Sequence, residues 1–347
     1  MKKVPITHGS DLEAMTRSPS TPLEWFLTIS GLILVLALVC LHFQLAPVPR
    51  RALRARVRSS FYGASNVTGF HKPVVPNVVH FIRLNQPEIS FWDAVCIRSA
   101  YLNQNPTGIL VHCSPCELKG RYASWIADIP TLQLVPIEIP ESVFGLEFGR
   151  VQHVADVLRI RVLMEHGGIY LDNDVFVVRS MNRFRHYEMS LGWPRGAYIG
   201  NQILIAHPKA RFLPLYHELY RRYNKSSWYW NAGHLPTLDI LRRHGHLVHR
   251  SYRRLAVGMY LFNLLYVPGT WPQWRKEAVA VHLFVHHRGG NPEDPLNGVS
   301  IDEHNVLRYD TAAGQMARSV LFGTTDFVES GTDVLNVSVL LSDGFHY

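Results

Sequence analysis

From Trp25 to Pro49 no residue carries a formal charge, and Phe26 to Leu41 is almost wholly aliphatic. Crossing a hydrocarbon core of ~30 Å takes about 20 apolar residues, so the run is long enough for one spanning helix. A cleaved secretory signal is the competing reading, but its apolar core runs only ~7–15 residues and ends in small residues. Here the run is longer, and Leu45-Ala46-Pro47-Val48-Pro49 puts prolines where cleavage would fall. The pattern predicts a tail over 1–24, a retained membrane anchor over 25–46 and an arginine-rich, Ser/Gly-containing stem over 47–72.

Past the stem, β-rich runs alternate with helical spacing. Val74 to Ile82 reads as a buried first strand, Phe91 to Leu102 as a helix, Ile109 to His112 as a second strand and Leu132 to Ile139 as a third. Val151 to Glu165 has helical spacing, and Gly167 stands where a left-handed cap would stop the helix. Ile169-Tyr170-Leu171 follows as a short strand. Such alternation predicts an α/β fold with a mostly parallel central sheet flanked by helices. Pro208 to Tyr223 is helical again, and Gly289-Gly290-Asn291-Pro292 marks a break. The folded domain is therefore placed at 73–290, with 291–347 as an extension of no assigned role.

Composition changes this picture little. Hydrophobic residues make up 47% and charged residues 18%, a folded chain and not a disordered one. A net charge of +8 would suit nucleic acid, but outside Arg50 to Arg58 the basic residues are dispersed, so no nucleic-acid partner is expected. Cys113-Ser114-Pro115-Cys116 has redox-motif spacing without its partner elements; the plainer expectation is a disulfide between Cys96 and one of that pair.

The chemistry concentrates at Asp172-Asn173-Asp174, where the short strand ends. Ligands of α/β sheets bind beyond strand ends. Two carboxylates at i and i+2 can serve one divalent cation, which in turn neutralises the phosphates of a nucleotide. Asp156 and Arg159, at i and i+3, share one face of the preceding helix. A bare D-x-D is usually a solvated turn; the ordered composite from Ala155 to Asp174 is what carries weight.

That composite resembles the sugar-binding region of glycosyltransferase family 32, over Val75 to about His287. The opening strand Val75-Pro76-Asn77-Val78-Val79-His80-Phe81 is similar, as is Gly200 to Ala206, where Asn201-Gln202 stands for the family's frequent Asn-Gly. In Gly233-His234-Leu235-Pro236, Leu235 replaces a glycine, and in Ala280-Val281-His282-Leu283-Phe284, Phe284 replaces a tryptophan. The resemblance implies a GT-A fold, a Mn²⁺-dependent site and retention of anomeric configuration. Asp156 and Arg159 would contact the donor sugar, Asp172 the ribose or metal, and Asp174 the metal directly, with His282 a further ligand. His80, Phe81, Gly168, Tyr170 and Asn201 would surround the nucleotide-sugar, a UDP-sugar before a GDP-sugar. The acceptor would be a glycan or glycolipid in the Golgi lumen, reached by a type II anchor.

Flanking charge opposes that orientation: five arginines follow the span and only Lys2, Lys3 and Arg17 precede it. Three N-x-[ST] sequons, at Asn66, Asn224 and Asn336, support it. The rivals are a cytosol-facing transferase and an inactive membrane-anchored carbohydrate-binding protein. Aromatics at Trp228-Tyr229-Trp230 and Trp271 to Trp274 suit either an acceptor site or a packed core.

Overall fold

The computed structural model describes residues 66–342; the expected tail, the span over 25–46 and most of the stem lie outside the described residues. No helix among the described residues is long and apolar enough to cross a membrane.

Strand β1 is Val78–Leu84. It starts later than the apolar run because Pro76 has no N–H for a ladder; Val75 drops into the core instead. Helix α1, Phe91–Gln104, starts at a reciprocal cap. The Asp93 N–H donates to Ser90 Oγ at 3.2 Å, and the Ser90 N–H donates to Asp93 Oδ2 at 2.8 Å. Strands β2 (Gly108–Ser114) and β3 (Leu132–Pro136) follow. Helix α2 (Val151–His166) then leads to β4 (Gly168–Leu171) and β5 (Val175–Val177). Beyond these lie β6 (Met189–Gly192), β7 (Ile203–Ala206), β8 (His249–Ser251), β9 (Leu255–Ala256) and β10 (Ala280–His282).

Seven strands form the main sheet in the order β8-β6-β7-β4-β1-β2-β3. All neighbours are parallel except β7, which runs antiparallel to both β4 and β6. The expected mixed α/β architecture with a mostly parallel sheet is what forms. The chain runs outward from β1 to β3, then crosses back to lay β4 on the other side of β1. Right-handed crossovers put helices on opposite faces when the direction reverses, and the strand ends part there. That opening falls between the carboxyl ends of β1 and β4. A second sheet, β9-β10-β5, adjoins it. Ser99 and Asn103 of α1 hold it from below: Ser99 Oγ accepts from the Val177 N–H at 2.9 Å, and Asn103 Nδ2 donates to the Val177 carbonyl at 2.7 Å.

The segment past residue 290, left without a role above, packs into the same core. Met316, Ala317, Val320 and Leu321 of helix α5 (Ala312–Leu321; α3 and α4 are given below) are buried, as are Val337 and Leu340. Arg98, 1% exposed, ties this segment to α1 by donating to the carbonyls of Val320 (2.9 Å), Trp125 (2.7 Å) and Leu335. The cysteine expectation is corrected: Cys113 and Cys116 bond to each other, and Cys96 is buried and unbonded. Cys96 lies inside α1, packed into the core, and among the described residues no cysteine bonds to it.

The glycine pair before β4 is required by two close approaches. Gly167 has φ +64° but an extended ψ of −168°, so it caps α2 without being a left-handed residue. A Cβ on Gly167 would lie 2.5 Å from Pro208 Cδ, and one on Gly168 (φ +110°) would lie 2.7 Å from both His80 Nε2 and the Val78 carbonyl oxygen.

His80 is fully buried here. Its Nε2 donates to the Gly167 carbonyl at 2.8 Å, which fixes the tautomer and leaves Nδ1 to accept from His112 Nε2 at 3.0 Å. Burial and the neighbouring His112 push His80 down to about 3, and burial pushes His112 down to about 4. The unfolded chain takes up these protons near pH 6.5 while the folded chain refuses them. Their contribution to stability is thus full above that pH and is lost as pH falls toward the folded values. Thermal melts should decline from pH 7 toward pH 4.5, and His112→Gln, which keeps a donor without a titrating ring, should flatten the decline. Equal slopes in the two proteins would contradict this.

Candidate active site

Asp172 stands at the carboxyl end of β4, where the backbone turns. The Asp172 N–H donates to the Gln202 carbonyl at 2.9 Å, and the Val175 N–H donates to the Asp172 carbonyl at 3.0 Å. The turn therefore presents Asp172 and Asp174 toward the crevice with Asn173 between them. Asn173 Nδ2 donates to the Ile82 carbonyl at 2.9 Å, which stitches the turn to the end of β1.

Below Asp172 lies a buried polar group centred on Arg159, 5% exposed. Its Nη1 meets Asp172 Oδ1 at 3.0 Å and the Asn201 carbonyl at 2.9 Å. Its Nη2 meets Asp156 Oδ1 at 3.1 Å, and Nε donates to the Ala155 carbonyl at 3.2 Å. Asn201 Nδ2 also donates to Asp156 Oδ1, at 2.7 Å. Tyr170 lends its ring to the guanidinium, 4.7 Å from the centroid, and its hydroxyl to Asp172 Oδ1 at 2.6 Å. Burial opposes a charged Arg159, but Asp172, Tyr170 and Asp156 together outweigh it and hold the guanidinium cationic. Burial raises the Asp172 carboxyl above its ordinary value against the pull of Arg159.

Asp174 faces a second set of partners. Its Oδ1 lies 3.0 Å from His282 Nε2, and its Oδ2 accepts from the Val285 N–H at 3.3 Å. The Leu283 N–H donates to the Asp174 carbonyl at 2.9 Å. Residues 282–285 therefore wrap one aspartate, brought there by the antiparallel pairing of β10 with β5, in which His282 faces Val175. Phe284 holds φ +54°, rare for a non-glycine, and sets its ring edge-on to His282 at 4.0 Å. Burial works against the Asp174 carboxylate, but His282 and the Val285 N–H bring it below its ordinary value. His282, which burial alone would lower, is raised by Asp174.

One ligand atom each from Asp172, Asp174 and His282 lies within 4.8 Å of the others. His282 Nδ1 is buried without a hydrogen-bond partner. Two donors at right angles on an octahedral ion with bonds of about 2.1 Å sit about 3 Å apart, close to the Asp174–His282 separation. Two carboxylates and one imidazole suit Mn²⁺ or Mg²⁺ better than a thiophilic metal. The residues fit a divalent cation.

The structure thus gathers Asp156, Arg159, Tyr170, Asp172, Asp174, Asn201 and His282 in one place, and it moves three expected residues out of it. His80 and Phe81 are fully buried in β1, below the crevice, and the ring nitrogens of His80 are bonded to Gly167 and His112. Gly168 lies at the opposite end of β4 from Asp172, under His80. All three are buried within their strands. Arg159, Tyr170 and Asn201 act through Asp172 and Asp156, since most of their polar atoms are already bonded there. Tyr229 was hidden among the aromatics: its hydroxyl donates to the Ile199 carbonyl beside this group. No period or spacing marked it.

A family model described as "Glycosyltransferase sugar-binding region containing DXD motif" matches residues 146–191, the stretch that supplies Asp156, Arg159, Asp172 and Asp174. The chain carries a DXD-type glycosyltransferase region. Over 175 residues it is 27% identical to Glucan organizing enzyme 1 of Cryptococcus neoformans, covering 45% of this chain and 46% of that protein. The chain thus spans about half the length of that relative. Among solved structures, the glycosyltransferase GlyE of Streptococcus pneumoniae TIGR4 aligns with 78% of this chain and 63% of its own, at 10% identity and TM-score 0.45. The PaToxG glycosyltransferase covers 51% and 72%, at 17% identity and TM-score 0.37.

In this glycosyltransferase domain the buried Arg159 is the group whose loss strands most charge. Arg159→Leu should cost about 3–5 kcal/mol in denaturant unfolding, and Asp172→Asn in the same background should recover part of it. A loss under about 1 kcal/mol in the single variant would contradict the clamp.

Proposed function

We propose that this chain is a metal-dependent, retaining glycosyltransferase of the GT-A type, moving a hexose or N-acetylhexosamine from a UDP-sugar to a glycan or glycolipid. The observation that carries the reading is the convergence of Asp172, Asp174 and His282 at the carboxyl end of β4, with ligand atoms within 4.8 Å. When bound there, a divalent cation such as Mn²⁺ would neutralise the donor diphosphate and the charge it gains on leaving. Asp172, Asp174 and His282 would hold it.

The remaining work falls to the protein. Arg159, Tyr170 and Asn201 keep the Asp172 and Asp156 side chains aimed without the donor having to order them. Asp156, joined to Asp172 through Arg159, would accept hydrogen bonds from donor hydroxyls. No side chain stands out as a covalent nucleophile. Retention then follows from front-face displacement: the acceptor hydroxyl attacks the anomeric carbon as the bond to phosphate breaks, and the departing phosphate oxygen takes the hydroxyl proton.

A lumenal, type II placement in the Golgi suits such donors and acceptors. Of the three sequons, Asn66 is 4% exposed and its amide nitrogen donates to Glu188 Oε1 (3.1 Å) and the His246 carbonyl (3.0 Å). Asn224 and Asn336 are exposed, so lumenal glycans would sit on those two.

The test is donor hydrolysis by the full chain in detergent across UDP- and GDP-sugars, with and without Mn²⁺. Release from a UDP-sugar that needs the ion and falls at least about a hundredfold in Asp174→Ala is the expected result. Equal release without the ion, or from the variant, would overturn the metal assignment.

A further inference from the structure

We infer that a cavity at the carboxyl ends of β6 and β8, on the same edge of the main sheet as Asp172, is the acceptor site, and that it selects a saccharide bearing an anionic group. The inference rests on the transferase reading only for the word acceptor; the ligand chemistry comes from the cavity itself.

The cavity measures about 680 Å³, within the size range of small-molecule sites and larger than a lone ion needs. Its place follows from the strands. β6 and β8 are parallel to each other, and β6 and β4 each run antiparallel to β7, so the ends of β6 and β8 open on the same edge as Asp172. Ala256 of β9 pairs with Val281, the residue before His282. Val257 comes next, packed so closely that a Cβ on Gly192 or Gly200 would lie 2.5 Å from its Cγ2. Helix α3 (Phe212–Glu218) lies elsewhere, against α2. Helix α4 (Leu261–Tyr266) brings up the far wall, and its Tyr266 hydroxyl donates to the Leu283 carbonyl at 2.7 Å. The cavity therefore shares the carboxyl edge of the main sheet with Asp172, and Arg253 and Glu277 in its wall lead into β9 and β10, the strand that ends in His282.

Its walls combine aromatic surface with unpaired positive charge. Arg195, Tyr252, Arg253, Tyr260, Trp271 and Glu277 line it. Tyr260 is 51% exposed, a free face for a sugar ring. Tyr252 carries two guanidinium groups: Arg195 at 5.0 Å and Arg250 at 4.6 Å from its centroid. Arg250 is fixed in turn, donating to the carbonyls of Trp193 (2.8 Å) and Pro194 (2.7 Å). Among the described residues no ion pair includes Arg195, Arg250 or Arg253. The carboxylate in the wall, Glu277, already accepts from Trp271 Nε1 at 2.9 Å. Two guanidinium groups, Arg195 and Arg253, stand in the wall against the single carboxylate of Glu277, so the wall is net positive and favours an arriving anion. Forked guanidinium donors suit carboxylate and phosphate oxygens equally. An aromatic face with an adjacent pair of arginines therefore fits a sugar unit that carries, or adjoins, a uronate carboxylate or a sugar phosphate.

The experiment is equilibrium binding of size-matched oligosaccharides to the full chain in detergent. The probes are a neutral hexose oligomer, a uronate-containing one and a phosphate-bearing one. The anionic probes should bind about tenfold or more tighter than the neutral one, less so as salt is raised. The uronate and phosphate arms tell which source of charge the site takes. The double variant Arg195→Ala, Arg253→Ala changes only exposed side chains, and it should erase the preference while leaving metal-dependent donor hydrolysis without acceptor unchanged. Equal binding of all three probes, no binding of any, or a preference that survives the double variant would each overturn the inference. Donor hydrolysis is read separately: its absence in the parent chain would sink the transferase reading, while arginine-dependent binding would still establish an anionic-saccharide site.

Discussion

The site depends on one buried cation. Arg159 comes up from α2 beneath the end of β4 and divides its N–H groups among Asp172, Asp156 and two backbone carbonyls. Without it, two carboxylates would share a desolvated space and at least one would take up a proton. With it, both are held in fixed positions, and Tyr170 and Asn201 complete their hydrogen bonding. The position of Arg159 depends on the turn at Gly167 and Gly168, which reverses the chain from α2 into β4 in a space too tight for any Cβ. The metal trio is the surface expression of that arrangement, with the charge to hold a cation supplied before the cation arrives.

Much of this was legible in the sequence. Periodicity gave the main strands and α2, because buried parallel strands read as apolar runs and the helix carried a regular apolar face. The carboxylate pair could be placed because it followed a glycine-broken helix and a short strand. What could not be read was depth. His80, Phe81 and Gly168 stand on the strands that reach the site yet are buried within them, and a linear pattern says nothing of how deeply a residue is packed. For Arg159 the spacing to Asp156 was visible, but not that its donors would also reach Asn201 and Asp172. The cysteine pairing failed because Cys96 is carried into the core by α1, and the residues past 290 offered no period to show that α5 closes that core.

The two sheets divide the work. The main sheet ends in the Asp172–Asn173–Asp174 turn, which Asn173 stitches to β1. The small sheet delivers His282 on β10 and, from β9, leads into the cavity walled by Tyr252, Tyr260 and Arg195. His282 is held by the small sheet, whereas Arg195, Tyr252, Arg253 and Tyr260 of the cavity wall stand in the connections around it.

The most direct measurement is electron paramagnetic resonance of Mn²⁺ titrated into the full chain, with and without UDP, in the parent protein and in His282→Ala. This account predicts one protein-bound ion whose affinity rises when UDP is present and falls in the variant, with the fold unchanged by circular dichroism. An ion that binds the two proteins alike, or whose binding UDP does not alter, would contradict the assignment of Asp172, Asp174 and His282 as a nucleotide-linked metal site.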